Sequence, residues 1–527
     1  MMGWQAARGK RAMLATMPPA PHWLAALALA APGLAQTPAP TAIPRTWEEA
    51  GLSSMELPNA ATGAPARHVP AEFYYAVPAT VLYRTYPVYH PDREPPGYVE
   101  ELRKQAPEPT FDASKLTTEA AWVAAGEQVF HWPTGWREST PESRARFAEE
   151  FRRVPVPTTA DGILPFYVYT VREVGKLEIG TQSCAMCHTR VMPDGAVIVG
   201  AQGNLPFDRQ FAESVAGGSQ QDVAGTLAAL FGMPASSQAL PYPPATDGKS
   251  LATALRAIPP GVLARHGSSA FAPVQVPDLI GIRERKYLDR TGLVRHRGPA
   301  DLMRYAALNQ GIDFLSAWQD FVPAFASVDA VPAEQWPADA PPRDEVRRQI
   351  GDPAEQFRYS DEQLYALTQY LYSLQPPENP NTPTALSERG REVFAAEDCA
   401  KCHPAPLYTS NELTPVRGFR VPEALRATER IRSRGVDTDP TLALQTRRGT
   451  GFYKVPSLLG VWYRGPFGHS GAVATLEDWF DPRRLRDDYV PTGWNPGGSP
   501  RAVPGHEFGL DLEPADRQAL LAFLRTL

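Results

Sequence analysis

Every cysteine in this 527-residue chain lies in one of two copies of a single pattern, Cys184-Ala-Met-Cys187-His188 and Cys399-Ala-Lys-Cys402-His403. With all four thiols inside these motifs, no cysteine is left over for a disulfide framework. Two thiols three residues apart on a helical turn can each add to one vinyl group of a haem. The histidine that follows then swings its imidazole beneath the iron. The pattern predicts two covalently bound haem c groups, one on Cys184, Cys187 and His188 and one on Cys399, Cys402 and His403, with His188 and His403 as the iron ligands. A zinc ribbon would need its paired motifs about 15 to 20 residues apart, and these lie over two hundred apart. A thioredoxin-like pair has no need of the following histidine.

The surroundings of the two motifs also repeat. Gly126-Glu-Gln-Val-Phe130 precedes the first as Gly390-Arg-Glu-Val-Phe394 precedes the second, and each reads as the first helix of a haem domain. Downstream, Val276-Pro-Asp-Leu-Ile-Gly281 matches Val455-Pro-Ser-Leu-Leu-Gly460, and a His-x-Gly follows each, at His296 and His469. Each half closes with apolar residues at helical spacing, over residues 361–374 and 516–527. The expected fold is mainly α, with two tandem cytochrome-c-like haem domains, 112–374 and 384–527, joined by a proline-rich linker, 375–383. The halves are unequal. From Phe394 to Cys399 is five residues, whereas Phe130 to Cys184 spans more than fifty, so the first domain carries extra walls of the kind that build a pocket or an interface.

Proline, at 56 residues, is about twice its usual share of roughly 5%, which implies long irregular loops. The N-terminus runs from basic (Arg8, Lys10, Arg11) to apolar (Trp23 to Ala30) to small residues ending at Ala35. That order predicts a signal peptide over 1–35, a periplasmic or secreted product and no membrane span. Residues 36–111 are expected to be a linker and N-terminal extension, for which the sequence suggests no task. A net charge of -6 gives no basic footprint for nucleic acid. His68, His90, His131 and His266 read as surface or structural histidines, and Trp122 and Trp318 as core residues before electron relays.

The segment from Tyr453 through His469 to Leu476, together with the tandem C-x-x-C-H motifs, resembles the bacterial di-haem cytochrome c peroxidase superfamily. The long extension and enlarged first domain are similar in layout to its rubber-oxygenase-like members. The resemblance implies that the second haem relays electrons while the first, on the catalytic His188, meets peroxide or dioxygen. It also implies a small redox protein or an organic substrate as partner; a calcium ion as a further cofactor stays open and unassigned. Oligomeric state is open. One departure matters. Those peroxidases use methionine as the second haem's sixth ligand, and this chain has no methionine after Met303. His506, on a glycine-flanked loop, is the first choice as that metal ligand, with His469 and Tyr489 as competitors. For the first haem, His296, Met192 and Met303 are the candidate donors, and the preferred reading is that none binds strongly. The rival reading is an electron carrier with both irons six-coordinate. Within Arg417 to Arg448, part is expected to neutralise haem propionates and most to be solvated.

Overall fold

The computed structural model describes residues 42–60, 63, 66–68, 70–218, 247–264, 272–310, 316–317, 358–446 and 448–527. The leader expected over 1–35, the start of the linker, His266 and Trp318 lie outside the described residues. From the extension come α1 (Glu49–Met55) and β1 (Thr85–Tyr89). Next follow α2 (Glu119–His131), β2 (Gly135–Glu138), α3 (Pro141–Arg153), β3 (Ile163–Glu173) and β4 (Lys176–Thr181). The first motif is α4 (Cys184–Cys187), after which the first half adds α5 (Phe207–Val215), α6 (Gly248–Arg256), α7 (Pro299–Gln310) and α8 (Asp361–Ser373). The second half holds α9 (Ala385–Ala396), α10 (Leu476–Trp479) and α11 (Pro514–Arg525). No described helix is long and apolar enough to cross a membrane.

The repeat is legible in packing. Helix α2 lies on α8 and α9 lies on α11, each pair holding the phenylalanine before its motif against an aromatic residue of the closing helix: Phe130 with Tyr370, at 5.4 Å between ring centres, and Phe394 with Phe523, at 5.3 Å. Both crossings pass over a glycine. A β-carbon on Gly126 would land on the carbonyl of Ala366 and against Tyr370, and one on Gly390 would land on the carbonyl of Ala519 and against Phe523. The helices start where their caps allow. Thr118 Oγ1 accepts from the Ala121 N–H, and reciprocal capping boxes at Ser360/Gln363 and Thr384/Ser387 satisfy the first-turn donors of α8 and α9.

A four-stranded antiparallel sheet, in the order β1-β3-β4-β2, fills the long stretch between Phe130 and Cys184. Strand β3 (Ile-Leu-Pro-Phe-Tyr-Val-Tyr-Thr-Val) is dominated by β-branched and aromatic residues suited to a buried pleated surface. Its side chains form one core with Phe151 of α3 and with Met186, inside the first motif. The sheet therefore backs the Cys184–His188 turn, and it corrects the expectation of helices joined only by irregular loops. The extension also has a place. Strand β1 completes the sheet edge, and Trp47, Leu52, Met55 and Tyr74 share a core with Phe130, Leu302 and Leu367.

Alanine would favour a helix interior over glycine by about 1 kcal/mol, but at these crossings the obstacle is backbone carbonyl. Gly126→Ala and Gly390→Ala are each expected to lower stability by about 2 kcal/mol in denaturant unfolding. Gly217→Ala, whose added carbon meets open space, is expected to change it by less than about 0.5 kcal/mol.

Candidate cofactor cavities

The two motifs fold into the same turn. The His188 N–H donates to the Cys184 carbonyl at 2.9 Å and the His403 N–H to the Cys399 carbonyl at 2.8 Å, so each imidazole projects from the turn that carries its two thiols. None of the four cysteines is in a disulfide. The proline of each V-P-x-L repeat stands beside its histidine, Pro277 with His188 and Pro456 with His403, through its carbonyl. The His403 Nδ1 also lies 3.0 Å from the Tyr408 carbonyl. For His403 that carbonyl fixes the ring's orientation and leaves Nε2 free for a metal, whereas the buried His188 Nδ1 makes no hydrogen bond. Burial pushes His188 and His403 down to about 4, so both rings are neutral at neutral pH.

Each motif opens into its own cavity. The first, about 1520 Å³ of non-atom space counting its open mouth, is walled by Leu302, Tyr305, Ala306 and Asn309 of α7 and by Leu367 and Leu371 of α8. The second, about 1470 Å³, is walled by α9, α10 and α11 through Phe394, Leu476, Trp479, Phe480, Leu520 and Leu524. Apolar walls, paired thiols and a neutral imidazole are the donor set and setting that a covalently held haem requires. Leu302 and Tyr305 follow His296 in the order in which Leu476 and Trp479 follow His469, so α7 and α10 are counterparts.

The cavities differ in what faces the motif histidine. In the second, the His506 ring stands 6.4 Å from the His403 ring, centre to centre. Two imidazoles sharing one iron, each nitrogen about 2 Å from the metal, would stand about 6 Å apart. His506 Nδ1 is buried with no hydrogen-bond partner, and burial followed by the neighbouring His403 pushes the ring down to about 4. Its backbone is left-handed, with φ 48°, a conformation that costs about 1 kcal/mol or more outside glycine and persists only where surroundings enforce it. They do so here. The His506 N–H donates to the Val436 carbonyl at 2.7 Å, and Arg484, fully buried, spreads its guanidinium over the carbonyls of Trp479, Val503, Gly505 and His506 at 2.7–2.9 Å. Arg484 escaped the sequence reading because a basic residue in an Arg-Arg pair carries no local sign of burial.

The other candidates sit elsewhere. His469 reaches the second cavity wall but lies stacked on Tyr453, ring centres 4.5 Å apart, and Tyr489 is not on that wall. His296 has both ring nitrogens occupied, Nδ1 2.7 Å from the Arg285 carbonyl and Nε2 2.7 Å from the Tyr372 hydroxyl, and it does not line the first cavity. Met303 is sealed in the core beside Leu302, and Met192 packs in a small cluster with Ile198 and Tyr463. Trp122 is core, edge-on to Tyr365, and His68, His90 and His131 line neither cavity. Of the described arginines from 417 to 448, Arg448 alone reaches a cavity wall, donating to Asp289 Oδ2 at 2.6 Å and Asn309 Oδ1 at 3.0 Å, while Arg417 is exposed beside Asp437. Among the described residues no three His, Cys, Asp or Glu side chains gather as a metal site, so the calcium expectation finds no carboxylate cluster.

No family model matches this chain, and no curated protein does. Among solved structures it is similar to the hydrazine synthase of Kuenenia stuttgartiensis, at 14% identity over 60% of this chain and 92% of that one, with a TM-score of 0.28. It is also similar to a MauG-like protein associated with microbial copper homeostasis, at 18% identity over 61% of this chain and 88% of that one, with a TM-score of 0.27. Likeness this loose carries no statement about function.

Arg484→Ala should leave four inward-facing carbonyls without their donor and cost about 3–5 kcal/mol in urea unfolding. Arg484→Lys, which keeps the charge and loses the planar fork, should recover less than half of that.

Proposed function

We propose that this chain is an exported di-haem c-type cytochrome oxidoreductase, in which the second haem transfers electrons and the first activates peroxide or dioxygen. The observation that carries the reading is the asymmetry of the two cavities. His403 is opposed by His506 at a spacing suited to one iron between them, and on the described wall of the first cavity the histidine, methionine and cysteines are those of the motif itself, His188, Met186, Cys184 and Cys187. The sequence supports the same asymmetry. In the second half the ligand loop lies between α10 and α11; the corresponding stretch of the first half, residues 311–357, contains no His, Met, Cys, Tyr or Lys.

On this reading Cys184 and Cys187 anchor the first haem and Cys399 and Cys402 the second, while His188 and His403 supply the proximal nitrogens and His506 the sixth ligand of the second. A haem bound at His188 would supply an iron with one open position for an oxidant. The chain's own part is to hold that position open. Leu302, Ala306, Leu367 and Leu371 exclude water, and Tyr305 is drawn aside, its hydroxyl 3.3 Å from Asp289 Oδ2. Asp289, the one carboxylate among the described residues of this wall, is taken up by Arg448. The apolar character of that described wall supports a second reading within the same class, a rubber-oxygenase-like dioxygenase acting on an apolar organic substrate. In the peroxidase version a small redox protein delivers the electrons. The basic, apolar and small order of residues 8–35 supports a periplasmic or secreted location.

Low-temperature electron paramagnetic resonance of the isolated protein tests the asymmetry. Mass spectrometry should find two covalent haems, and the spectrum should hold one high-spin and one low-spin ferric signal. His506→Gly should turn the low-spin signal high-spin, and added imidazole should restore it. Two low-spin signals that persist through partial reduction would replace the enzyme with a pure electron carrier, and an unaltered low-spin signal in His506→Gly would remove His506 as ligand.

A further inference from the structure

Between the two cavities lies a third, smaller one, and its walls are charged. Arg285, Arg290, Lys454 and Arg464 face it, and the acids beside them are Asp278 and Asp289. The acids do not balance the cations. Asp289 is taken up by Arg448, which reaches it at 2.6 Å, and Asp278 accepts from the Tyr463 hydroxyl at 2.8 Å. The Nε of Arg290, the Nε of Arg464 and one terminal nitrogen of Arg285 are buried with no hydrogen-bond partner. Burial lowers Arg285 and Arg290 to about 10 and Lys454 to about 7, which leaves both arginines charged at neutral pH. A buried cation without a counter-charge costs several kcal/mol, so a cluster of them predicts an anion.

Arg290 holds a singular place in this arrangement. It is the one described residue on the wall of both large cavities, and it also lines the small one between them. Its backbone is fixed on both sides: its own N–H meets Asp289 Oδ1 at 2.6 Å, and its carbonyl accepts from the Lys454 N–H at 3.1 Å. The guanidinium sits deep in the protein but keeps accessible surface, because that surface faces cavities. A haem carries carboxylates on one edge only, and a planar guanidinium is the side chain best shaped to take two carboxylates from different directions.

We propose that Arg290 binds carboxylates of both haems at once, so that the two cofactors present their acidic edges to one shared cationic cradle and Arg290 shifts both reduction potentials together. Lys454 and Arg464 serve the second haem from the same cradle. The inference rests on the di-haem reading, and the two can fail separately.

The test is a spectropotentiometric titration of the full holo-protein, with each haem followed by its own spin-state marker. A positive charge stabilises the reduced, more negative form of a nearby haem, so its loss lowers the potential. In Arg290→Gln, with two covalent haems confirmed by mass, both potentials should fall, each by at least a tenfold change in reduction equilibrium, about 59 mV for one electron. The exposed Arg417→Gln should move neither. A shift confined to one haem, or absent from both, overturns the shared cradle, whereas a wild-type mass showing fewer than two haems overturns the di-haem reading itself. Should Arg290→Gln not accumulate, Arg290→Lys decides. Keeping the charge and losing the fork, it should shift the resonance Raman propionate-bending bands of both haems, and unchanged bands would equally refute the proposal.

Discussion

In each half two helices cross so closely that a backbone carbonyl occupies the space where a side chain would begin, and the rest of the molecule is hung from those two crossings. Because Gly126 lets α2 settle on Ala366, and Gly390 lets α9 settle on Ala519, the start and the end of each half are brought together around its motif. The closing helices then present one face to the partner helix and another, through Leu367 and Leu371 or Leu520 and Leu524, to the cavity. The same contact therefore closes the domain and builds a wall of its site. A loss of packing at the crossing would be felt at the cavity, because interiors are dense and transmit strain.

The halves do not stand apart. Leu442 and Arg448 of the second half wall the first cavity, and Gln275 and Arg290 of the first half wall the second. Their polar ties run deep inside. Gln275 Nε2 donates to the Pro466 carbonyl at 2.6 Å, the Thr291 hydroxyl donates to the Arg448 carbonyl at 2.6 Å, and the Thr450 hydroxyl returns the bond to the Thr291 carbonyl at 2.6 Å. Bonds of this kind leave donors and acceptors stranded if the halves part, which costs more than the bonds themselves contribute. Halves so joined hold their two cavities at a fixed separation and orientation.

What the sequence made legible and what it hid follow from the range of the interactions. The motif turns, the α2 and α9 glycines, the V-P-x-L-x-G stretches and the closing helices are local patterns repeated twice, and repetition separated them from chance. His506 stood out because a histidine between glycines late in the chain has few structural duties. The sheet was hidden by attention to repeats: it exists in one half only, although the β-branched and aromatic run of β3 was readable by itself. His296 stayed one candidate among three because its repeat partner His469 reaches a cavity, while its own two nitrogens are claimed by the nearby Arg285 carbonyl and by the hydroxyl of Tyr372, 76 residues along the chain. Arg290 and Arg484 were beyond reach for a like reason, since burial of a charged side chain is decided by partners far along the chain.

The divergence of the two sites can be traced to one structural step, the segment that follows the cavity helix. After α10 the chain turns through Arg484 and comes back with His506 forced into a left-handed conformation against the second cavity. That conformation is held by the Val436 carbonyl on the His506 N–H and by one buried guanidinium on four carbonyls, His506's own among them. After α7 the chain has no residue to offer of the same kind: the next forty-odd residues contain neither an imidazole nor a thioether. In the first half the added polypeptide is built around the motif and the α2–α8 crossing instead: the sheet shares a core with Met186 inside the motif, and the extension shares one with Phe130 and Leu302.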